Sequence, residues 1–224
     1  MAKLPAITPR QVESAMYIDF EGTMKDPPSM LGVLTVTDGE AEFDQPVIEE
    51  TLWPAAGHTP NNTTGYAPRR ADLTSVLTEL RHRSTDEDRL IFAFSEHELG
   101  EILKELTSDE EIQWWKANLI NVRPYAKEWA KKVHPNYTFK KSANPMGGKH
   151  TLDQFLQLAG YEVPKAHGPG NSAKRIRYVR DQLIKKHGNW DAVTPGAKRK
   201  WTNAMLHNWH DCYGTYQLMK QVTA

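Results

Sequence analysis

Two carboxylates, Asp19 and Glu21, stand two residues apart in the segment Met16-Tyr17-Ile18-Asp19-Phe20-Glu21-Gly22-Thr23. The apolar alternation predicts a β-strand in which Met16, Ile18 and Phe20 face one way and Tyr17, Asp19 and Glu21 the other. Side chains so placed lie roughly 7 Å apart along the strand. Two like charges at that range repel unless cations sit between them, which is the arrangement a divalent-metal site needs. Gly22-Thr23 then turns the chain and leaves the strand end open. Asp38-Gly39-Glu40 repeats the spacing but reads as a polar turn between strands.

A second constellation is His207-Asn208-Trp209-His210-Asp211-Cys212-Tyr213-Gly214-Thr215. Met205, Trp209, Cys212, Tyr216 and Met219 recur at helical spacing and predict a buried stripe. His207 and Asp211, at i and i+4, share another face about 160 to 200° from Trp209, and Gly214 one turn on leaves space beside them. His82 and Asp86, and His187 and Asp191, have the same spacing in poorer settings. The first pair lies in the charged run 81–89, and Gly188 interrupts any helix in the second. Further carboxylates come from Phe94-Ser95-Glu96-His97-Glu98-Leu99-Gly100, a strand-to-helix corner of the kind where α/β folds gather active-site groups. Glu96 and Glu98 also suit a helix N-terminus through the helix dipole alone.

The elements that must position these groups follow from periodicity. A strand over 31–37, a hairpin at Asp38-Gly39 and a third strand over 41–52, broken at Pro46, predict three antiparallel strands, with a loop over 54–70. Leu73, Val76, Leu77 and Leu80 mark a helix, and 89–94 a short buried strand. Ser95 with Glu98 fits a capping box for a helix through Leu106. The second half is predicted mostly helical: 110–117, 124–133, 151–159, 173–186 and 195 to about 219, with mobile loops at 143–150 and 165–171. Trp114, Trp115, Trp129, Trp190 and Trp201 flank apolar residues at helical spacing and read as core rather than as platforms for stacked bases.

The chain of 224 residues is long enough for one substantial core and is read as a single domain, 1–224. One cysteine, Cys212, no apolar run of membrane length and no signal peptide predict a soluble, cytoplasmic protein without a disulfide or a membrane partner. The Asn61-Asn62-Thr63-Thr64 glycosylation pattern then carries no meaning. Net charge is zero, but residues 1–120 hold 10 Lys/Arg against 22 Asp/Glu and residues 121–224 hold 18 against 6. The halves thus carry −12 and +12. Either they neutralise each other across their packing surface, or an acidic centre is paired with a basic face that meets a polyanion.

In these residues the chain resembles the ribonuclease H-like exonucleases of the DEDD superfamily, in particular the RNase H-like domain of predicted RecB-family nucleases. Asp19-Phe20-Glu21-Gly22-Thr23 is similar to the first motif and His207 to Asp211 to the third. The resemblance implies an α/β RNase H-like mixed sheet, three antiparallel strands then parallel strands, flanked by helices. It implies Asp19, Glu21, Glu98 and Asp211 as ligands of two Mg²⁺ or Mn²⁺ ions, with Glu96 as the alternative to Glu98. His207 becomes the general base, with His210 the alternative, at the spacing of the Tyr-bearing branch. Independently of the resemblance, the basic run Lys174, Arg175 and Arg177, with Lys185-Lys186 and Lys198-Arg199-Lys200 beyond it, reads as a face that could hold a polyanion backbone, and Thr23 after the first motif as a further substrate contact. Two cations about 3.5 to 4 Å apart stabilise both the attacking and the leaving oxygen of phosphodiester hydrolysis, and a histidine suits proton transfer at neutral pH. The expectation is a metal-dependent nuclease acting on DNA or RNA, single-stranded or at a 3′ end, as a 3′ to 5′ exonuclease. The rival readings are a nucleic-acid-binding module without catalysis and a phosphoesterase for nucleotides or short oligonucleotides.

Overall fold

The computed structural model describes residues 4–22, 27–58, 66–141, 148–168 and 170–224. A short α1 (Pro9–Val12) precedes β1 (Met16–Glu21), β2 (Met30–Thr37) and β3 (Glu40–Val47), and after α2 (Trp53–Ala56) comes β4 (Tyr66–Arg70). Then follow α3 (Leu73–Asp86), β5 (Ile91–Ala93), α4 (His97–Glu105), α5 (Asp109–Asn118) and β6 (Leu119–Asn121). The rest is helical: α6 (Val122–Val133), α7 (Leu152–Leu158), α8 (Ser172–Lys185) and α9 (Pro195–Thr223), with 3-10 turns at Glu50–Leu52 and Lys165–His167.

The strands form one mixed sheet in the order β4-β3-β2-β1-β5-β6. β1, β2 and β3 pair antiparallel, whereas β5 runs parallel to β1, β6 to β5 and β4 to β3. The β2–β3 turn has φ of 50° at Asp38 and 84° at Gly39, the left-handed pair that a two-residue hairpin requires. The alternation in β1 divides as its spacing predicts, but both faces are covered. Met16, Ile18 and Phe20 join a core with Leu73, Val76, Leu77, Ile102 and Trp115 of α3, α4 and α5. Tyr17 faces the larger core under α6 to α9. Trp115 and Trp201 are fully buried, Trp190 is buried, and Trp114 and Trp129 pack against the cores from partly exposed positions.

Several local expectations are corrected. β3 runs through Pro46 and ends at Val47, and Glu50–Leu52 turns away as a 3-10 segment. The span 54–70 is not a continuous loop, because Tyr66–Arg70 adds a strand outside β3. β6 was hidden between two helices. Ser95 does not cap α4: Glu96 holds the N-cap position, while the Ser95 hydroxyl accepts from the His97 amide at 3.2 Å and donates to Glu98 Oε2 at 2.9 Å. Within the predicted loop 165–171, Lys165–His167 forms a 3-10 turn, and Arg175 Nη2 donates to the Ala166 carbonyl at 2.7 Å. The predicted mobile segment 143–150 and the glycosylation pattern at 61–64 lie wholly or mostly outside the described residues.

The stripe of α9 that meets the sheet is Trp201, Met205, Asn208, Cys212, Tyr216 and Met219, with Asn208 where Trp209 was expected. Trp209 instead stacks on Tyr213 at the helix flank, ring centroids 4.9 Å apart. The shift by one residue has a geometric result. His207 and Asp211 fall about 100° from the sheet-facing line, not opposite it, and so reach the exposed end of β1.

Candidate active site

Because β1 and β5 are parallel, their carboxyl ends share one edge of the sheet. Asp19 and Glu21 stand at the end of β1, and Glu98 lies in the first turn of α4 just past β5. From above, α9 brings in His207 and Asp211, while the start of α8 brings in Ser172 and Arg175. The five residues expected to act together therefore converge. Glu21 and Glu98 are buried at 6% and 4% exposure.

The burial of like charges shows in their acidities. Burial raises the Asp19 pKa well above the carboxylate range, and Asp211, Glu21 and Glu98 raise it further. Glu21 is pushed up to about 7, mainly by burial and then by Asp211, against the opposing pull of His207, the Ser172 hydroxyl and Arg175. Asp211 and Glu98 are also raised, chiefly by burial. The Cys212 thiol, beneath the group, is driven far up by burial and then by all four carboxylates. One buried point thus feels Asp19, Asp211, Glu98 and Glu21 together.

His207 is held by its other nitrogen. Nδ1 lies 2.6 Å from the His167 carbonyl oxygen, which can only accept, so Nδ1 carries a proton and donates. Nε2 then faces the carboxylates, 3.3 Å from Glu21 Oε1 and 3.7 Å from Asp211 Oδ2. Burial alone would lower the His207 pKa, but Asp211, Glu21 and the His167 carbonyl together raise it. His210 points elsewhere: its Nδ1 is 2.7 Å from the Tyr161 hydroxyl and its ring stacks on His167. Burial, with His167 and His207 nearby, lowers His210 to about 4 and keeps it neutral.

Asn208 was not foreseen. Its Nδ2 donates at 2.8 Å both to the Asp19 backbone carbonyl and to Asp19 Oδ2, and its Oδ1 accepts from Gln45 Nε2 at 2.6 Å. Gln45 and Asn208 are fully buried. The available sequence signal was a polar residue on a sheet-facing turn of a core helix, together with Gly32 on the facing strand. A Cβ at Gly32 would lie 2.5 Å from Asn208 Oδ1 and 2.9 Å from Cys212 Sγ, so only glycine admits the helix this close. Gly214 does not leave open space beside His207 and Asp211; the side chains of Leu156 and Tyr161 fill it.

Of the remaining candidates, Glu96 is exposed and Thr23 lies outside the described residues. Lys174 and Arg177 are exposed on α8. Arg175 turns inward, and its Nη1 is buried with no hydrogen-bond partner among the described residues.

Glu21, His207 and Asp211 each offer an atom within 4.8 Å of the others, so a small side-chain adjustment would bring all three within reach of one cation. Asp19 and Glu98 enlarge an oxygen-rich set of the kind that suits Mg²⁺ or Mn²⁺. No protein-family model, no curated protein and no solved structure matches this chain. Among the described residues, no helix is long and apolar enough to cross a membrane.

Proposed function

We propose that the protein is a metal-dependent nuclease that hydrolyses phosphodiester bonds of DNA or RNA, in the manner of an RNase H-like 3′ to 5′ exonuclease. The observation that carries this reading is the convergence of four carboxylates, three of them brought by the sheet edge and one by α9, around a fixed His207. A group of buried acids with raised pKa values is costly as it stands, and cations would remove that cost. The strand order supports the fold reading, with three antiparallel strands followed by parallel ones and β4 added outside them. With that extra strand, the carboxylate expected after the fourth strand falls after β5.

Asp19, Glu21, Glu98 and Asp211 would hold two Mg²⁺ or Mn²⁺ ions, which when bound supply charge stabilisation to the attacking and leaving oxygens. Asn208 orients Asp19, and Ser95 orients Glu98. His207, its Nδ1 committed to the His167 carbonyl, presents Nε2 as the acceptor for the proton of the attacking water. Neutralising Glu21 and Asp211 removes the attraction that holds a proton on His207, and so frees Nε2 as a base. Arg175, close enough to Glu21 to oppose its raised pKa, would place positive charge beside a bound substrate phosphate.

The test is hydrolysis of end-labelled single strands in Mg²⁺ or Mn²⁺. Wild type is expected to shorten them from the 3′ end, chelator to stop it, and Asp19→Asn to lose all measurable turnover while remaining folded. His207→Ala should retain metal binding and lose about 10² to 10⁴ in rate, the usual contribution of a positioned base. Loss of metal binding by His207→Ala would make the histidine a ligand instead. Undiminished cutting by folded Asp19→Asn, or in excess chelator, overturns the reading.

A further inference from the structure

On the Glu98 flank of the carboxylates, a cavity of about 1030 Å³ opens along α6, bounded also by Leu4–Ile7 and the end of α9. Glu96, two residues before Glu98, is on its wall, and so are Arg123 and Lys127. Arg123 is fixed at the corner that carries Glu98. Its backbone amide donates to the Phe94 carbonyl at 3.1 Å, and its guanidinium lies 5.3 Å from the centre of the Phe94 ring. Its Nε is buried with no hydrogen-bond partner among the described residues, and a native structure rarely leaves such a donor without an acceptor.

No ion pair joins Arg123, Lys127 or Lys149 to a carboxylate among the described residues. These three cations also act together on His150, whose pKa falls through burial and then through Lys127, Lys149 and Arg123. On the cavity wall Arg123 and Lys127 stand with Lys131 and Lys132 and with the carboxylates of Glu96 and Glu128, so cations outnumber acids there four to two. In the sheet the order β1-β5-β6 places this wall on one side of β1, whereas Arg175 approaches from α8 on the other.

We propose that Arg123 and Lys127 form a second phosphate-binding subsite that holds the backbone of a nucleic-acid strand on the side of the carboxylates away from Arg175. Arg123 supplies the fixed contact, since its orientation is set by Phe94, and Lys127 on the exposed side of α6 supplies a mobile charge. This rests on the nuclease reading: a strand lying across the sheet edge would meet a cation on each side of the bond to be cut.

The test measures binding of a fluorescent single strand with phosphorothioate linkages, in Mg²⁺, over a range of salt concentrations. Arg123→Gln with Lys127→Gln should weaken binding and lower the log–log salt slope by about 1.4, at about 0.7 per phosphate contact. Lys104→Gln with Lys116→Gln removes the same charge from α4 and α5, and should leave the slope unchanged. Lys127→Gln alone, at an exposed position, should lower it by about 0.7 and keeps the test decisive if the Arg123 variant does not fold. A wild-type slope in the Arg123 and Lys127 variants, with wild-type protein binding and cutting strands, overturns the subsite and leaves the nuclease reading intact. Equal losses in both double variants also overturn it, because they would report net charge alone. Wild-type protein that neither binds nor cuts strands brings down the nuclease reading and the subsite with it.

Discussion

Asn208 carries no charge, yet its single amide nitrogen ties the backbone and the carboxylate of Asp19 together, and Gln45 ties its oxygen to the third strand. Asn208→Ala removes a donor to Asp19 and the acceptor for Gln45 in one step. The expected cost is about 1–3 kcal/mol in urea unfolding, the range for buried polar groups left without partners. Metal affinity, read by calorimetry, should fall about 10- to 100-fold, as it does when the residue that orients a ligand is removed. Asp19, Glu21, His207 and Asp211 were visible in the sequence because strand alternation and the i,i+4 repeat are local rules. Asn208 was not, because its partners Asp19 and Gln45 are 189 and 163 residues away. By periodicity its place belongs to an apolar side chain, and Trp209 fits that pattern.

The approach of α9 to the sheet depends on Gly32, and the approach of α7 to α9 on Gly214. A methyl group at Gly32 would press on Asn208 Oδ1 and Cys212 Sγ, both held in the core, whereas at Gly214 it would meet the end of Leu156, 2.7 Å away. Leu156 can change rotamer; Asn208 cannot move without releasing Asp19. Gly32→Ala should therefore cost about 1–3 kcal/mol, as overpacked cores do, and weaken metal binding as well. Gly214→Ala should cost less and leave metal affinity near wild type; the reverse order in melting and calorimetry would refute this account. The long helices were legible because each repeats its apolar face over several turns. β6 has three residues and follows α5 directly, too short a run to show a period of two. β4 was lost among the turn-forming residues before it, since its place beside β3 is a parallel pairing that no local signal announces.

Across the whole molecule, the acidic first half builds the sheet with α3, α4 and α5, and the basic second half builds the layer of α6 to α9. Among the described residues, Arg180 with Glu49 is the one Lys or Arg ion pair that spans the halves. The site sits on the seam, and its titration has a definite sign. Glu21, raised to about 7 by burial, and Asp19, Asp211, Glu98 and His207, all raised, bind protons more tightly in the folded chain than in the unfolded one. His210, lowered to about 4, and His167 and His150, also lowered, act in the opposite sense below about pH 6.5 and not above it, so stability of the metal-free protein should fall as pH rises from about 6.5 to about 8. Added Mg²⁺ or Mn²⁺ should flatten that slope, and Asp19→Asn should raise the metal-free melting temperature at neutral pH; a melting temperature that climbs with pH in chelator would contradict it. The bond from Asn208 to Asp19 closes a loop of 189 residues, and this has a kinetic meaning. Contacts so distant form late, after the entropy of a very long closure has been overcome. During synthesis, the strand that carries Asp19 and Glu21 emerges long before its last helix exists. In refolding from urea, high-affinity cation binding should appear only with the final phase, after most helical signal has returned, so that a bound ion would report completed assembly and would not be the seed around which the chain condenses.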